Sequence, residues 1–300
     1  MKQKILTLNS AYNEGRQRLE AAGIEEANLD AWYLLEEITG VSRTMYFMEP
    51  EKELSEEEAA RYLDALSKRE KRIPLQHITG KQEFMGLEFL VYEHVLIPRQ
   101  DTEILVEEAL QKIKPGMKVL DMCTGSGCIA ISLSKFARDC EFHAVDLSTK
   151  AIETAKKNAE KNEVKIQFIE SDLFEKVEDR YDVIVSNPPY IRTSVIEELQ
   201  KEVKSHDPYM ALDGKEDGLF FYRKIIENAS DYLNDGGWIL FEIGHDQREE
   251  VEELLKEQNF TEIFAKKDLA GLDRVVAGMY NKERLTNENR KIIFRRKFHV

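Results

Sequence analysis

Cysteine is scarce in this chain: Cys123, Cys128 and Cys140 are the only three in 300 residues. So few thiols, unevenly spaced, exclude a disulfide framework. With no C-x2-C pair and no His pair at ligand spacing, no metal site is expected. Reduced, mostly buried thiols in a reducing compartment are the expectation. Long apolar runs are missing as well. None approaches the roughly 20 residues that span a bilayer, and Met1-Lys2-Gln3-Lys4-Ile5 does not open a signal peptide. A cytoplasmic protein with no membrane partner is therefore expected. Positive charge is outweighed, and a net charge of -14 argues against broad contact with nucleic acid, although a local basic patch could survive. What is present, 42% hydrophobic and 33% charged residues, describes a globular protein with enough chain for two modest domains.

Residues 1–73 read as helical. Leu6, Tyr12, Leu19 and Ala22 recur at helical spacing before Gly23. Asn28 or Asp30 is the expected start of a second helix through Trp32, Leu35 and Ile38, and a short third follows Ser42. Ser55-Glu56-Glu57-Glu58 forms a capping-box start for a helix that Pro74 stops. Short amphipathic helices must pack on one another, which predicts a small bundle. Residues 74–98 read as a β-hairpin linker, with Phe84, Leu87, Phe89 and Val91 separated by polar residues and glycine. From 99 to 281 strands and helices alternate. Strands are predicted at 117–122, 141–146, 165–170, 181–187, 236–243, 260–266 and 274–280, and helices at 102–113, 151–162 and 247–258. That order predicts a doubly wound α/β domain with a seven-stranded, mostly parallel sheet. Residues 282–300 form a basic tail.

Chemistry concentrates at three predicted strand ends. After the first strand comes Asp121-Met122-Cys123-Thr124-Gly125-Ser126-Gly127, a glycine-rich bend leading into a helix. Glycines let a ligand approach the backbone, and the helix start offers free N–H groups. A lone G-x-G is equally consistent with a tight turn. Asp146, about twenty residues on at the end of the second strand, can accept both hydroxyls of a ribose, or simply cap the next helix. Asp172 follows the third strand and can accept an adenine amine, with Leu173 or Phe174 against the ring. No phosphate-binding G-x-x-x-x-G-K-[ST] is present. An acid-lined cleft without phosphate ligands suits S-adenosylmethionine, with its cationic sulfonium and ammonium, better than a dinucleotide.

The fourth strand runs into Asn187-Pro188-Pro189-Tyr190. Asn187, before a proline, is held extended, and two prolines fix φ and remove two donors. The result is a stiff ledge rich in acceptors, suited to gripping a planar NH2 group.

Together, Asp121-x-x-Thr124-Gly125-Ser126-Gly127 and Asn187-Pro188-Pro189-Tyr190 resemble the Rossmann-like class I S-adenosylmethionine-dependent methyltransferases that modify amino groups. The tetrapeptide is shared with adenine-N6 enzymes and does not choose the substrate. Ile97-Pro98-Arg99-Gln100-Asp101-Thr102-Glu103, Pro74-Leu75-Gln76-His77-Ile78-Thr79-Gly80, Asp207-Pro208-Tyr209, Glu242-Ile243-Gly244 and Asp268-Leu269-Ala270-Gly271 are more selective. They resemble the peptide chain release factor glutamine-N5 methyltransferases (the PrmC/HemK family), over residues 74 to 280. The helical N-terminal region also fits that layout. Cys123 departs from the glycine usual in that family's first loop and Gln100 from a frequent proline. Cysteine there implies a turn that avoids positive φ.

The resemblance implies methyl transfer from S-adenosylmethionine, released as S-adenosylhomocysteine, to the glutamine of the Gly-Gly-Gln loop of release factors, which would modulate translation termination. The helical domain would help to dock the release factor. Asn187 and the Pro188 carbonyl would accept the two N–H groups of the amide, Pro189 would stiffen the ledge and Tyr190 would wall the pocket. Asp121, Cys123, Thr124, Gly125, Ser126, Gly127, Asp146, Asp172, Leu173 and Asn187 would hold the cofactor. Adenine-N6 methylation of nucleic acid, or a non-catalytic ligand-binding protein, are the competing readings.

Overall fold

The computed structural model describes residues 6–282, so the expected basic tail at 282–300 lies almost wholly outside the described residues. The chain divides into two compact units, residues 1–81 with 200–206, and residues 82–199 with 207–300.

The first unit is helical. Helices Leu8–Ala21, Ala27–Thr39, Arg43–Met48 and Glu56–Glu70 enclose Leu19, Trp32, Leu35, Tyr62 and Leu66. Ser42 caps the third, and Ser55 with Glu58 makes the expected capping box on the fourth. Asp30 does not open the second helix, which begins at Ala27. It is buried within the first turn, where its carboxylate accepts from Arg69 Nε at 2.6 Å. The fourth helix ends at Glu70, before Pro74, and Pro74 instead precedes a further short helix, Leu75–Thr79. The expected hairpin segment, residues 74–98, therefore starts with a helical turn. A proline fixes φ where a helix begins and donates nothing the first turn needs, so it initiates as readily as it stops.

Residues 200–206 lie inside the expected methyltransferase domain but belong to the helical unit. The physical reason is charge: Glu202 accepts from Arg72 Nη1 at 3.1 Å and lies 3.4 Å from Arg69.

Gly15 lies where the first helix meets Tyr62, and a Cβ added there would collide with the Tyr62 hydroxyl. Exchange of a helical glycine for alanine usually gains up to about 1 kcal/mol. Here overpacking, costing about 1–3 kcal/mol, wins. Gly15→Ala should lower the urea midpoint of the protein, and an unchanged or raised midpoint would contradict this packing.

In the second unit β1 (Lys81–Phe84) and β2 (Leu87–Leu90) form a hairpin. The large sheet comprises β3 (Lys118–Met122), β4 (Glu141–Asp146), β5 (Gln167–Glu170), β6 (Tyr181–Ser186), β7 (Leu233–Glu242), β8 (Phe260–Lys267) and β9 (Asp273–Tyr280). Its order is β5-β4-β3-β6-β7-β9-β8, with β9 antiparallel to both of its neighbours. Both faces are covered. Val183 and Val185 pack into one core cluster with Leu105 and Ile129, while Ile184 packs into the other with Tyr222 and Phe241. A strand buried on both faces reads as a continuous apolar run, as β6 does. β7 begins at Leu233 rather than 236, because the strand runs through the turn-like Asn234-Asp235-Gly236-Gly237 beside a register shift in its pairing with β6.

Strand order reverses between β3 and β6. Crevices at the carboxyl ends of strands beside such a reversal are where open α/β sheets bind ligands.

Candidate active site

Register places the two motif-bearing loops side by side. β3 and β6 pair in parallel with Met122 opposite Ser186, so Cys123 and Asn187 leave the sheet together. They border a cavity of about 1000 Å³, including the space at its open mouth. Its wall includes Cys123, Thr124, Gly125, Ser126, Asp146, Asp172, Leu173, Asn187 and Pro189. Asp121, Gly127, Pro188 and Tyr190 are not part of that wall.

Asp121 lies beneath the loop. Its Oδ2 accepts from Thr124 Oγ1 at 2.5 Å and from the Ala130 backbone N–H at 3.2 Å. Complete burial pushes its carboxyl up to about 7, with the nearby charge of Asp146 adding to the effect. It shapes the loop that others present. Gly127, with φ 82°, opens helix Cys128–Phe136, and a Cβ there would press on Ala155 and Ile131 at 3.0 Å.

The expectation that Cys123 keeps its turn out of positive φ is overturned: its φ is 65°. The chain must swing at this residue so that the Thr124 N–H reaches the Val145 carbonyl of β4 at 2.9 Å, while the Thr124 side chain turns down to Asp121. A left-handed residue with a Cβ costs roughly 1–2 kcal/mol, which the surrounding hydrogen bonds hold in place. Cysteine tolerates that conformation better than a branched side chain. Cys123→Val should thus lower both melting temperature and affinity for the methyl donor, whereas Cys123→Gly should keep both. Equal behaviour of the two variants, measured by thermal unfolding and calorimetric titration, would refute this account.

Asp146 does not cap the next helix; Ser148 does, accepting from the Ala151 N–H. Asp146 accepts from the Gly125 N–H through Oδ2 and from the Ser148 N–H through Oδ1, both within 2.9 Å. Burial raises its pKa despite these donors. Of the two residues after Asp172, Leu173 faces the cavity. Phe174 is buried and stacks on Tyr232 with centroids 4.4 Å apart.

At the ledge, Asn187 Nδ2 donates to Thr102 Oγ1 at 3.3 Å. Tyr190 does not wall the cavity as expected. Its hydroxyl donates inward to Glu242 Oε1 at 3.2 Å, and its carbonyl accepts from Gln247 Nε2 at 2.9 Å. Buried polar groups must be paired, and the buried Glu242 carboxylate supplies an acceptor for the Tyr190 hydroxyl away from the cavity.

Sequence reasoning assigned no role to Thr102, Arg99, Pro208 or Met210, which also line the cavity, nor to Asn158. Asn158 is fully buried and donates to the carbonyls of Ser126 and Leu90 while accepting from the Leu90 N–H. It joins the hairpin to the glycine-rich loop. All but Asn158 fall in or beside the sequence blocks quoted above, which was the available signal. Among the described residues, Glu141, His143 and Asp179 bring possible metal-ligand atoms within 4.8 Å of one another. Lys118 Nζ already lies 3.2 Å from both carboxylates, at the opposite end of β4 from the cavity.

Two family models match the chain, "PrmC N-terminal domain" over residues 10–80 and "Methyltransferase small domain" over 99–204. A release factor glutamine methyltransferase of Geobacter sulfurreducens is 43% identical, covering 92% of this chain and 98% of its own. The chain belongs to the release factor glutamine methyltransferase family. It is accordingly a methyltransferase. A further family member, from Clostridium botulinum, is 41% identical over 88% of this chain and 95% of its own. A solved methyltransferase from Pyrococcus furiosus, 20% identical, shares the fold, with a TM-score of 0.53 over 72% of this chain and 99% of its own. Among the described residues no helix is long and apolar enough to cross a membrane.

Proposed function

We propose that the protein methylates the N5 side-chain amide of the glutamine in the Gly-Gly-Gln loop of peptide chain release factors. S-adenosylmethionine, when bound, supplies an electrophilic sulfonium methyl and leaves as S-adenosylhomocysteine. The observation that carries the reading is the pairing of β3 with β6, which brings the glycine-rich loop and Asn187 to one cavity.

The residues present fit that cofactor. The charged groups in the wall are Asp146, Asp172 and Arg99, and the Arg99 guanidinium is engaged by Asp207 at 2.6 Å. Two carboxylates are thus left to face a cationic ligand. Asp146 has lone pairs beyond those its two N–H donors use, enough to accept ribose hydroxyls. Asp172 with Leu173 would hold the adenine, one by its amine and the other by its face.

Asn187 holds the acceptor nitrogen. Its Nδ2 is directed at Thr102, so Oδ1 is the end available to a substrate N–H. The family resemblance assigns the second N–H to the Pro188 carbonyl, although Pro188 itself is not in the cavity wall, which its neighbours Asn187 and Pro189 line. An amide nitrogen is a poor nucleophile because its lone pair is delocalised into the carbonyl. Two acceptors on its hydrogens oppose that delocalisation and stabilise the charge developing on nitrogen. Asn187 and the Pro188 carbonyl would hold the nitrogen while it took up the methyl group that the sulfonium supplies, the C–S electron pair staying with sulfur. The nitrogen would afterwards lose one proton. Orientation supplies much of the remainder, up to roughly 7–11 kcal/mol in favourable cases. Modification of a translation factor belongs to the cytoplasm, as the unpaired thiols also favour. The helical unit is the part we assign to docking the release factor.

The test uses donor labelled in its methyl group, incubated with the protein and release factor, release factor carrying Gln→Ala in its loop, or DNA and RNA. Label confined to the unaltered release factor is expected. Label in nucleic acid, or equal label in the Gln→Ala protein, would refute the reading.

A further inference from the structure

We propose that Thr102 and Glu242 are positioning residues that fix which end of the Asn187 amide faces the cavity, a proposal that rests on the role given to Asn187 above. The two ends of an asparagine amide are alike in shape, so only the partners decide between them. A wrong choice would set an NH2 group against the NH2 of the substrate.

The register of the sheet makes the arrangement possible. β6 and β7 pair with Ser186 opposite Phe241, so Asn187 and Glu242 follow side by side. Thr102 sits between their side chains at the foot of helix Glu103–Lys112 and is 2% exposed. Its Oγ1 accepts from Asn187 Nδ2 at 3.3 Å. A hydroxyl has a single proton, and the acceptor beside it is the Glu242 carboxylate. Burial raises the pKa of that carboxyl, and Thr102, Arg274 and Tyr190 act against the rise by favouring its charged form. Glu242 is 3% exposed, takes the Tyr190 hydroxyl on Oε1, and has no hydrogen-bond partner on Oε2 among the described residues. Oε2 can therefore receive the Thr102 proton.

Direction follows from chemistry. While Glu242 is ionised its carboxylate only accepts, so it commands the Thr102 proton, and Thr102 can then only accept from Asn187. Asn187 is left with Nδ2 inward and Oδ1 towards the cavity. Glu242 is kept near this task by Arg274, which favours its charge, and by Tyr222, whose hydroxyl donates to the Glu242 backbone carbonyl at 2.8 Å. The same carboxylate thereby sets both polar side chains of Asn187-Pro188-Pro189-Tyr190.

The experiment compares Thr102→Val, Thr102→Ser and Glu242→Gln in the full chain, measuring kcat with release factor, KM for the methyl donor and thermal unfolding. Valine keeps the shape of threonine and removes the hydroxyl, so kcat should fall on the order of 100-fold, the cost of a misplaced reacting group. The donor KM should stay unchanged, and Thr102→Ser should restore kcat. Glu242→Gln presents a donor where the carboxylate had only acceptors, and should also lower kcat at unchanged donor KM. Parent kcat in Thr102→Val, or serine no better than valine, would overturn the proposal. If valine prevents folding, parent kcat in Glu242→Gln would do the same. Failure of the parent to label release factor at all would instead strike the function proposed above.

Discussion

Asn187→Ala is expected to lower kcat by at least about 100-fold while affinity for the methyl donor largely persists. Deleting one preorganised hydrogen-bonding group aimed at developing charge costs about 100- to 1000-fold in comparable sites. In the role proposed above Asn187 would be such a group, since Thr102 accepts from its NH2 and leaves its carbonyl oxygen available to a substrate. Asp146, Asp172 and Leu173 line the same cavity from other strand ends, and the hydrogen bonds that hold Asp146 come from Gly125 and Ser148. Calorimetric titration with donor separates the two effects from steady-state rates. A variant that turned over at the parent rate would remove Asn187 from the mechanism. One that lost both rate and donor binding would make it a residue of the donor site.

A second large effect concerns pH. Asp121 is fully buried and holds its proton up to about pH 7, whereas an exposed aspartate releases it near 3.8. Between those values the unfolded chain binds fewer protons than the native one. Stability contributed at this position is complete below about pH 4 and is lost as pH rises through about 7. The difference is worth up to about 4 kcal/mol. Asp121→Asn removes the titration while its amide oxygen can still accept from Thr124 and Ala130. The variant should therefore gain on the parent between pH 4 and pH 8, in urea unfolding at each pH. A stability difference independent of pH would mean that Asp121 is ionised throughout. The lowered pKa values of Glu58, Glu70 and Asp217 work in the opposite sense, so the comparison must be made variant against parent.

The positions at which sequence and structure part are instructive. Strands β4 and β6 were legible almost to the residue, because both are buried apolar runs ended by a polar residue or a proline. Pro74 misled, since a proline that cannot continue one helix is well suited to begin another. Cys123 misled for a related reason. Its φ is imposed by a hydrogen bond to β4 some twenty residues away, which no local preference encodes. The family resemblance implies a cavity wall at Tyr190, but its hydroxyl is drawn to a carboxylate fifty-two residues later.

The sequence by itself determined the alternation of elements, the glycine-rich loop and the stiff ledge at Asn187-Pro188-Pro189-Tyr190, because those follow from apolar periodicity and from what glycine and proline do to one backbone. Tertiary structure decided which residues share the work. Parallel pairing of β3, β6 and β7 in one register gathers Cys123, Asn187 and Glu242, residues from three distant segments, at a single edge. Contacts of that kind depend on strand order and register, and neither is written in the neighbourhood of any one residue.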